Sequence, residues 1–320
     1  MNTGPIDFVV CTRNNRNIIE GTLRSIGDQN VAGSTLTVVD GLSTDGTPAF
    51  VQSTFPAARV IVKTSDSGPA ASRNIGIAAG TSPWIVLVDS DVQLAPDWAK
   101  RQQGFMVANG IDICCGKLVY ASRPEMLNAT SGAMNRFGIA WDRGIGDLVG
   151  RHVQWQRCLW AGSSALMIRR EAAEVIGGFD ESMFVIHEDC DYGWRANVLG
   201  FRFAFNPEAV AEHNVHGTLA GNERMAYFLY RNRLRSALIN YEAGNVLRYV
   251  LPYCGMAAAD AVLRPPRRAK VRAFVWNLSM LPETLARRSW VQSRRRVRDR
   301  DLWPLFEPGV RGPGYVGYET

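Results

Sequence analysis

Two carboxylates close the run Trp84-Ile85-Val86-Leu87-Val88-Asp89-Ser90-Asp91-Val92. The apolar stretch before them is too short for a helix and rich in β-branched residues, which predicts a strand buried on both faces. Spaced i, i+2, the two acids would diverge on a helix, but a strand end can bring them to one point. Carboxylates at the tip of a central parallel strand face the crevice where α/β sheets bind ligands. Oxygen donors of this kind suit Mg²⁺ or Mn²⁺ shared with substrate phosphates. Taken alone, the triplet reads first as a solvated strand end with two incidental acids, so other residues must decide.

A second acidic group, His187-Glu188-Asp189-Cys190-Asp191, opens a predicted helix that stops at Leu199-Gly200. Acids are favoured there by the helix dipole, and simple capping is their commonest role. Three acids in four positions beside a histidine exceed what a cap needs. His213 and His216 follow predicted short strands at 201–205 and 209–212. A lone histidine more often packs or is solvated than binds metal, but a pair after a strand makes a ligand an equal reading. The residues leave both histidines open.

The elements that must position these groups are legible in order. Ile6 to Cys11, Leu36 to Asp40, Ala58 to Val62 and Trp84 to Asp91 read as strands, and helical spacing covers 17–29, the stretch to about Thr54 and 70–79. Pro69 sits where a helix tolerates proline, in its first turn. This alternation with short Gly/Asp turns predicts a parallel, doubly wound sheet. No GxGxxG or GxxxxGK[ST] follows any strand, which removes dinucleotide-binding and P-loop readings. Instead, acids recur at strand ends, as Asp40 with Asp45 and Asp89 with Asp91. Beyond a helix near 95–109 and a strand at 111–120, residues 122–157 carry no readable motif and suit a substrate loop. Strand 165–170, a helix near 171–176 and a long helix over 223–243 complete the body.

In this order the motifs resemble family-2 glycosyltransferases, inverting enzymes of the GT-A nucleotide-sugar fold, in particular the rhamnosyltransferase-like members. The likeness runs from about Ile6 to about Arg235. Val38-Val39-Asp40-Gly41-Leu42-Ser43-Thr44-Asp45-Gly46-Thr47 is similar to the family's VVDNxSxDGT, with Gly41 where Asn is usual. Gly68-Pro69-Ala70-Ala71-Ser72-Arg73-Asn74-Ile75-Gly76 resembles its Arg-Asn-x-Gly helix, and Asp89-Ser90-Asp91 its DxD. Gly177-Gly178-Phe179-Asp180-Glu181, Glu188-Asp189-Cys190-Asp191 and Tyr230-Arg231-Asn232 resemble later motifs. The opening strand ends in Thr12-Arg13-Asn14, with Arg13 replacing the usual aromatic. Arg13 reads as a partner for a diphosphate or as a structural ion pair.

The resemblance implies a GT-A sheet flanked by helices and transfer of a sugar from a nucleotide diphosphate to a hydroxyl. Thr12, Asn14, Asp40, Arg73, Asp89 and Asp91 would bind the donor. Asp91, Asp89 and His213 would hold a divalent ion, Mn²⁺ or Mg²⁺, against the departing diphosphate. Asp189 would be the general base. Gly178, Phe179, Asp180, Glu188, Asp191 and Arg195 would contact the acceptor. The implied partners are a UDP-, dTDP- or GDP-linked sugar and a glycan or lipid-linked acceptor. A non-catalytic GT-A module would be expected to lose Asp91 or Asp189. A nucleotidyltransferase would need a basic, glycine-rich triphosphate loop after the first strand.

At 320 residues and 46% hydrophobic content the chain can bury a large core. The expected division is a catalytic domain over 1–243 (nucleotide-binding half 1–110, acceptor-binding half 111–243) and a helical appendage over 244–320. Between Arg264 and Arg300, twelve basic residues oppose two acids, +10 out of a net +6, so the remainder is −4. The basic segment reads equally as a helical subdomain with a solvated face and as a helix on an anionic membrane surface, with the apolar stripe at 271–286 toward the lipid. Residues 246–263 fall short of a membrane span because Arg248, Pro252 and Asp260 interrupt them. Nucleic-acid binding is not expected, since the body lacks a matching basic groove. Six cysteines without a C-x-x-C pair, and no signal-peptide pattern, predict reduced thiols in a cytoplasmic protein, peripheral on the inner face of the plasma membrane if the basic segment binds lipid.

Overall fold

The computed structural model describes residues 4–215 and 223–309. Strands β1 (Ile6–Thr12), β2 (Thr35–Asp40), β3 (Arg59–Val62) and β4 (Trp84–Asp89) are parallel, in the order β3-β2-β1-β4. Helices α1 (Ile19–Gly27), α2 (Thr47–Thr54) and α3 (Gly68–Ala78) make the crossovers. The β-branched runs of β1, β2 and β4 lie between helical layers, with Val10, Val38, Val39, Ile85 and Val86 fully buried. Gly76 lets α3 settle on β1, since a Cβ there would fall 2.1 Å from Val9 Cγ1. Register then aligns the strand tips: Thr12 lies opposite Asp40, and Cys11 opposite Asp89.

β5 (Val92–Leu94), α4 (Trp98–Asn109), β6 (Ile113–Tyr120), β7 (Arg123–Ala129), β8 (Ser131–Met134), β9 (Ala140–Arg143), β10 (Gln156–Arg157), β11 (Ala165–Arg169), α5 (Arg170–Ile176), α6 (Glu188–Val198) and β12 (Phe203–His213) follow. β11 is antiparallel to both β4 and β6, and β12 is parallel to β6, so the sheet is mixed rather than wholly parallel. β4 stops at Asp89, and Ser90-Asp91 turn the chain into β5, which returns along β12 with Val92 opposite His213. The two short strands expected over 201–212 are one, β12, with an irregularity between Phe205 and Val210 where Pro207 has no N–H to donate. Residues 122–157 are not a loop. They hold β7, β10 and a separate two-stranded ribbon of β8 and β9.

The C-terminal helices are α7 (Glu223–Asn240), α8 (Ala243–Asn245), α9 (Leu251–Leu263), α10 (Arg267–Ser279), α11 (Leu281–Arg294) and α12 (Asp299–Leu302). Residues Ala243–Leu263 form one continuous helix of 21 residues, π-helical over Val246–Val250, with a mean hydropathy of 1.3 over its most apolar 18 residues, long and apolar enough to cross a membrane by length and composition. This corrects the expectation that Arg248, Pro252 and Asp260 interrupt it. Pro252 falls in the first turn of α9, and Asp260 is engaged by Lys270 and by the Tyr230 hydroxyl. α10 and α11 are bound to α7, through Asn277 Nδ2 donating to the Arg231 carbonyl (3.0 Å) and Arg235 to Thr284 Oγ1 (2.6 Å).

Candidate active site

Arg73 organises the site. Its guanidinium lies 2.8 Å from Glu188 Oε1, 3.5 Å from Asp189 Oδ1 and 3.5 Å from Asp89 Oδ1, with only 7% of its side chain exposed. One buried cation thus joins a β4 tip, reached from α3, to the first turn of α6. Burial alone would lower the Arg73 pKa, but Asp189, Asp89 and Glu188 together raise it well above normal, and it stays charged. Glu188 titrates upward, first because it is desolvated and second because Asp189 repels its charge, with Arg73 opposing both.

The neighbouring motif residues have separate tasks. Asn74 donates to the Phe179 carbonyl (3.0 Å) and accepts from its N–H (2.8 Å), fixing the Gly177–Phe179 turn to α3. Ser163 Oγ donates to Asp189 Oδ1 (2.6 Å) and Ser164 Oγ to Asp89 Oδ2 (2.7 Å). In the sequence these serines belong only to a turn of small residues, Ala161-Gly162-Ser163-Ser164, ahead of the strand. Their value comes from register: Ala165 pairs with Val88, which sets Ser164 beside Asp89.

Asp91 Oδ1 and His213 Nε2 are 3.5 Å apart, and His213 Nδ1 lies 2.8 Å from Asn128 Oδ1. The amide oxygen can only accept, so Nδ1 carries a proton, and Nε2, the atom toward Asp91, donates to that carboxylate when the ring is charged and offers it a lone pair when the ring is neutral. In the neutral ring these two electron-rich atoms suit a cation between them, which would take the place of the Nε2 proton. Burial lowers the His213 pKa, while Asp91, then Asp89 and Asp142, more than reverse this. Among the described residues no three His, Cys, Asp or Glu side chains gather into a metal-binding group. Asp89, expected as a ligand, is instead occupied by Ser164 and Arg73. The donor set that fits a divalent ion is therefore Asp91 with His213, completed by substrate oxygens and water, as Mg²⁺-type sites usually are. His216 lies outside the described residues.

Asp142, on the β8–β9 ribbon, escaped the sequence reading because no motif surrounds it. Its carboxyl is pushed up to about 6, first by burial and then by the charge of Asp189, while His213 pulls it down. It therefore lies within electrostatic reach of both the expected base and the expected metal ligand. The ribbon is seated by Gly132, where a Cβ would fall 2.0 Å from Trp160, and by Arg143 pairing with Glu307 at 2.5 Å.

The remaining assignments divide. Asn14 Oδ1 accepts from the Thr44 N–H (2.8 Å), and Asp40, fully buried, accepts from Ser43 through both oxygens. They brace the 41–46 turn beside the strand tips. Thr12 Oγ1 is buried there without a hydrogen-bond partner. Arg13 pairs with Asp66 at 2.7 Å on the surface.

Several acceptor contacts need correction. Asp191 and Arg195 are a completely buried pair (3.0 Å), with Asn240 donating to Asp191 at 2.8 Å, and they tie α6 to α7. Asp180 is buried between Arg235 (2.9 Å) and Arg287 (3.5 Å), whose charges keep its carboxyl low against the cost of burial. Phe179 stacks on Tyr192 at 4.3 Å, and Gly178, at φ 72°, packs on Asn74. The buried side chains of Phe179, Asp180, Asp191 and Arg195 support the site and offer an acceptor no surface. Glu188 is also buried, but its Oε2 has no partner.

Residues 7–177 match the model of glycosyl transferase family 2. The chain belongs to that family. It is a glycosyltransferase, and among its relatives is an N-acetylglucosaminyl-diphospho-decaprenol L-rhamnosyltransferase of Mycobacterium tuberculosis, 26% identical over 227 residues, which cover 61% of this chain and 74% of that protein. Solved structures resemble it in fold, two of them over most of the chain. One is a Pyrobaculum calidifontis mannosyltransferase in complex with GDP-Man and Mn²⁺ (TM-score 0.53, 18% identity, 94% of this chain and 88% of that one). The other is a fragment of S. aureus TarS in complex with UDP (TM-score 0.55, 14% identity, 91% and 88%). At these identities the structures speak for the GT-A fold.

Proposed function

We propose that the protein is an inverting, metal-assisted transferase that moves a sugar, a deoxyhexose such as rhamnose by its relatives, from a nucleoside diphosphate to a hydroxyl of a lipid-linked or glycan acceptor. The observation that carries this reading is a buried cation, Arg73, bridging Asp89 on one side of the site and Glu188 with Asp189 on the other. The donor would lie along the tips of β1, β2 and β4, with its diphosphate toward Asp91 and His213. A divalent ion at that pair would neutralise the charge that develops on the departing diphosphate.

Asp189, held by Ser163 and Arg73 yet still 19% exposed, is the carboxylate placed to accept the acceptor hydroxyl's proton as its oxygen attacks the anomeric carbon. Attack from the face opposite the leaving group inverts that centre. The decaprenol-linked acceptor in the rhamnosyltransferase's name supports a lipid diphosphate acceptor, and UDP, GDP-Man and Mn²⁺ in the structural relatives support the donor class.

Asp189→Asn, assayed beside wild type, tests this. Transfer should fall at least about 10³-fold, while Mn²⁺-dependent nucleotide binding by calorimetry stays within a few-fold. Near-wild-type turnover in the Asn variant would remove Asp189 as the base. The absence of any response to a panel of nucleotide sugars would favour a binding module.

A further inference from the structure

The polarity of the C-terminal helices is reversed. Asp260 is the one charged residue of α9, yet of its thirteen residues only Tyr253, Ala257 and Ala261 are buried. The opposite side of the continuous helix Ala243–Leu263 exposes Leu247, Leu251, Met256, Val262 and Leu263, the last two by 68% and 71%. On its neighbour α10, Lys270 and Asn277 point inward, while Val271, Val275 and Leu278 point out. Leu281 and Leu285 extend the exposed set into α11. A water-facing helix normally turns its polar side to solvent. Ten of the sixteen large apolar side chains exposed among the described residues fall between 247 and 285, so this is a localised surface and not scattered exposure.

Basic residues flank the same surface. Arg248, Arg264, Arg267, Arg268, Arg272 and Arg294 are exposed, against one exposed acid over 243–294, Glu283. The other basic groups are drawn inward: Lys270 to Asp260, Arg287 to Asp180, and Arg288 to the Tyr241 carbonyl (2.6 Å). The cations left outside are thus those beside the exposed apolar helices.

We infer that the outer side of α9, α10 and the start of α11 docks on the surface of an anionic lipid bilayer. The apolar side chains enter the acyl boundary and the flanking arginines meet lipid phosphates. The charge complementarity selects a bilayer over a second copy of this chain, whose equivalent face would carry the same positive charge. The helix Ala243–Leu263 lies on the membrane rather than through it, because Tyr249, Tyr253, Ala257 and Ala261 pack against the body and Asp260 is tied to Tyr230 and Lys270. This inference needs neither the donor nor the acceptor proposed above.

Flotation of the full chain with vesicles tests it. Wild type should float with phosphatidylglycerol–phosphatidylcholine vesicles at low salt, at least about tenfold less with phosphatidylcholine alone, and be released by 0.5 M NaCl. A triple variant, Leu263→Glu, Val275→Glu and Leu278→Glu, and the double variant Arg267→Gln, Arg268→Gln should each lose flotation about tenfold or more. Their melting temperature and metal-dependent donor hydrolysis should stay unchanged. Failure of wild type to float, or equal flotation of the triple variant, would overturn the docking face. Binding that survives high salt and carbonate extraction would replace it with a spanning helix. A wild-type dimer that the triple variant converts to monomer, without lipid binding, would assign the face to self-association.

Discussion

The side-chain amide of Asn232 lies 2.6 Å from the carbonyl of Ile186 and also donates to the carbonyls of Val185 (3.0 Å) and Met183 (2.9 Å). Phe184, Ile186 and His187 hold φ of 65°, 68° and 73°, a left-handed region costly for residues with a Cβ. Arg231, donating to the Ser182 and Met183 carbonyls, completes a clamp that keeps this segment strained and delivers Glu188 and Asp189 to Arg73. Asn232→Leu should therefore destabilise the fold by about 2–3 kcal/mol and lower kcat at least tenfold, with donor affinity little changed. Steady-state kinetics with denaturant melts check both. A loss confined to donor KM would refute the positioning role.

Removing Arg73 should be worse and pH-dependent. Arg73→Ala leaves Glu188 and Asp189 without their shared cation, which costs about 3–5 kcal/mol for a buried network. Glu188 already titrates upward with Arg73 present, so the variant binds protons more readily when folded than when unfolded. By linkage its stability falls as pH rises, and the deficit against wild type should shrink between pH 8 and pH 5.5. Urea unfolding at the two pH values measures this, and a pH-independent deficit would contradict it.

Asp142 carries a related signature of its own. Its folded pKa, about 6, stands above the ordinary 3.8, so the native state binds the extra proton between those values. Stability lent by the neutral form is present at low pH and is lost as pH rises through that window. Asp142→Asn should remove this loss and raise the melting temperature at pH 8 by about 2–4 °C, with little change at pH 4. Transfer should fall in the same variant, since the carboxyl lies within electrostatic reach of Asp189. A melting temperature equal to wild type at both pH values would show that Asp142 is not strained by its surroundings.

For the metal, Asp91→Ala and His213→Ala should each raise the Mn²⁺ concentration needed for half-maximal nucleotide binding at least tenfold, read by calorimetry. Asn128→Ala should raise it less, by releasing the imidazole's orientation. Retention of the wild-type Mn²⁺ dependence in His213→Ala, with loss in His216→Ala, would move the nitrogen ligand to the later histidine.

The nucleotide-binding half was legible in the sequence because its signals are local: apolar runs, Gly/Asp turns and acids at strand tips. The group around Arg73 was legible only as a set of motifs, and their tasks were not. Arg73 reaches the site, whereas its neighbours Asn74 and Gly76 hold a turn and a helix–strand contact. Spacing alone assigns all three to one function. The acceptor contacts at Asp180, Asp191 and Arg195 were misread because an acid or arginine on a short motif looks alike whether it faces solvent or a buried partner. Asp142 was invisible because its ribbon is built from irregular strands whose seating depends on Trp160 and Glu307.

That ribbon has a consequence for the order in which the enzyme comes into being. Arg143 waits 164 residues for its partner Glu307, which also donates its N–H to Met134 at 2.8 Å. Contacts so distant in sequence form late, after loop closure has been accomplished elsewhere. A growing chain can complete β1 to β4 long before Glu307 has been synthesised. The donor half would then exist ahead of a seated Asp142, so competence for transfer waits on the arrival of Glu307.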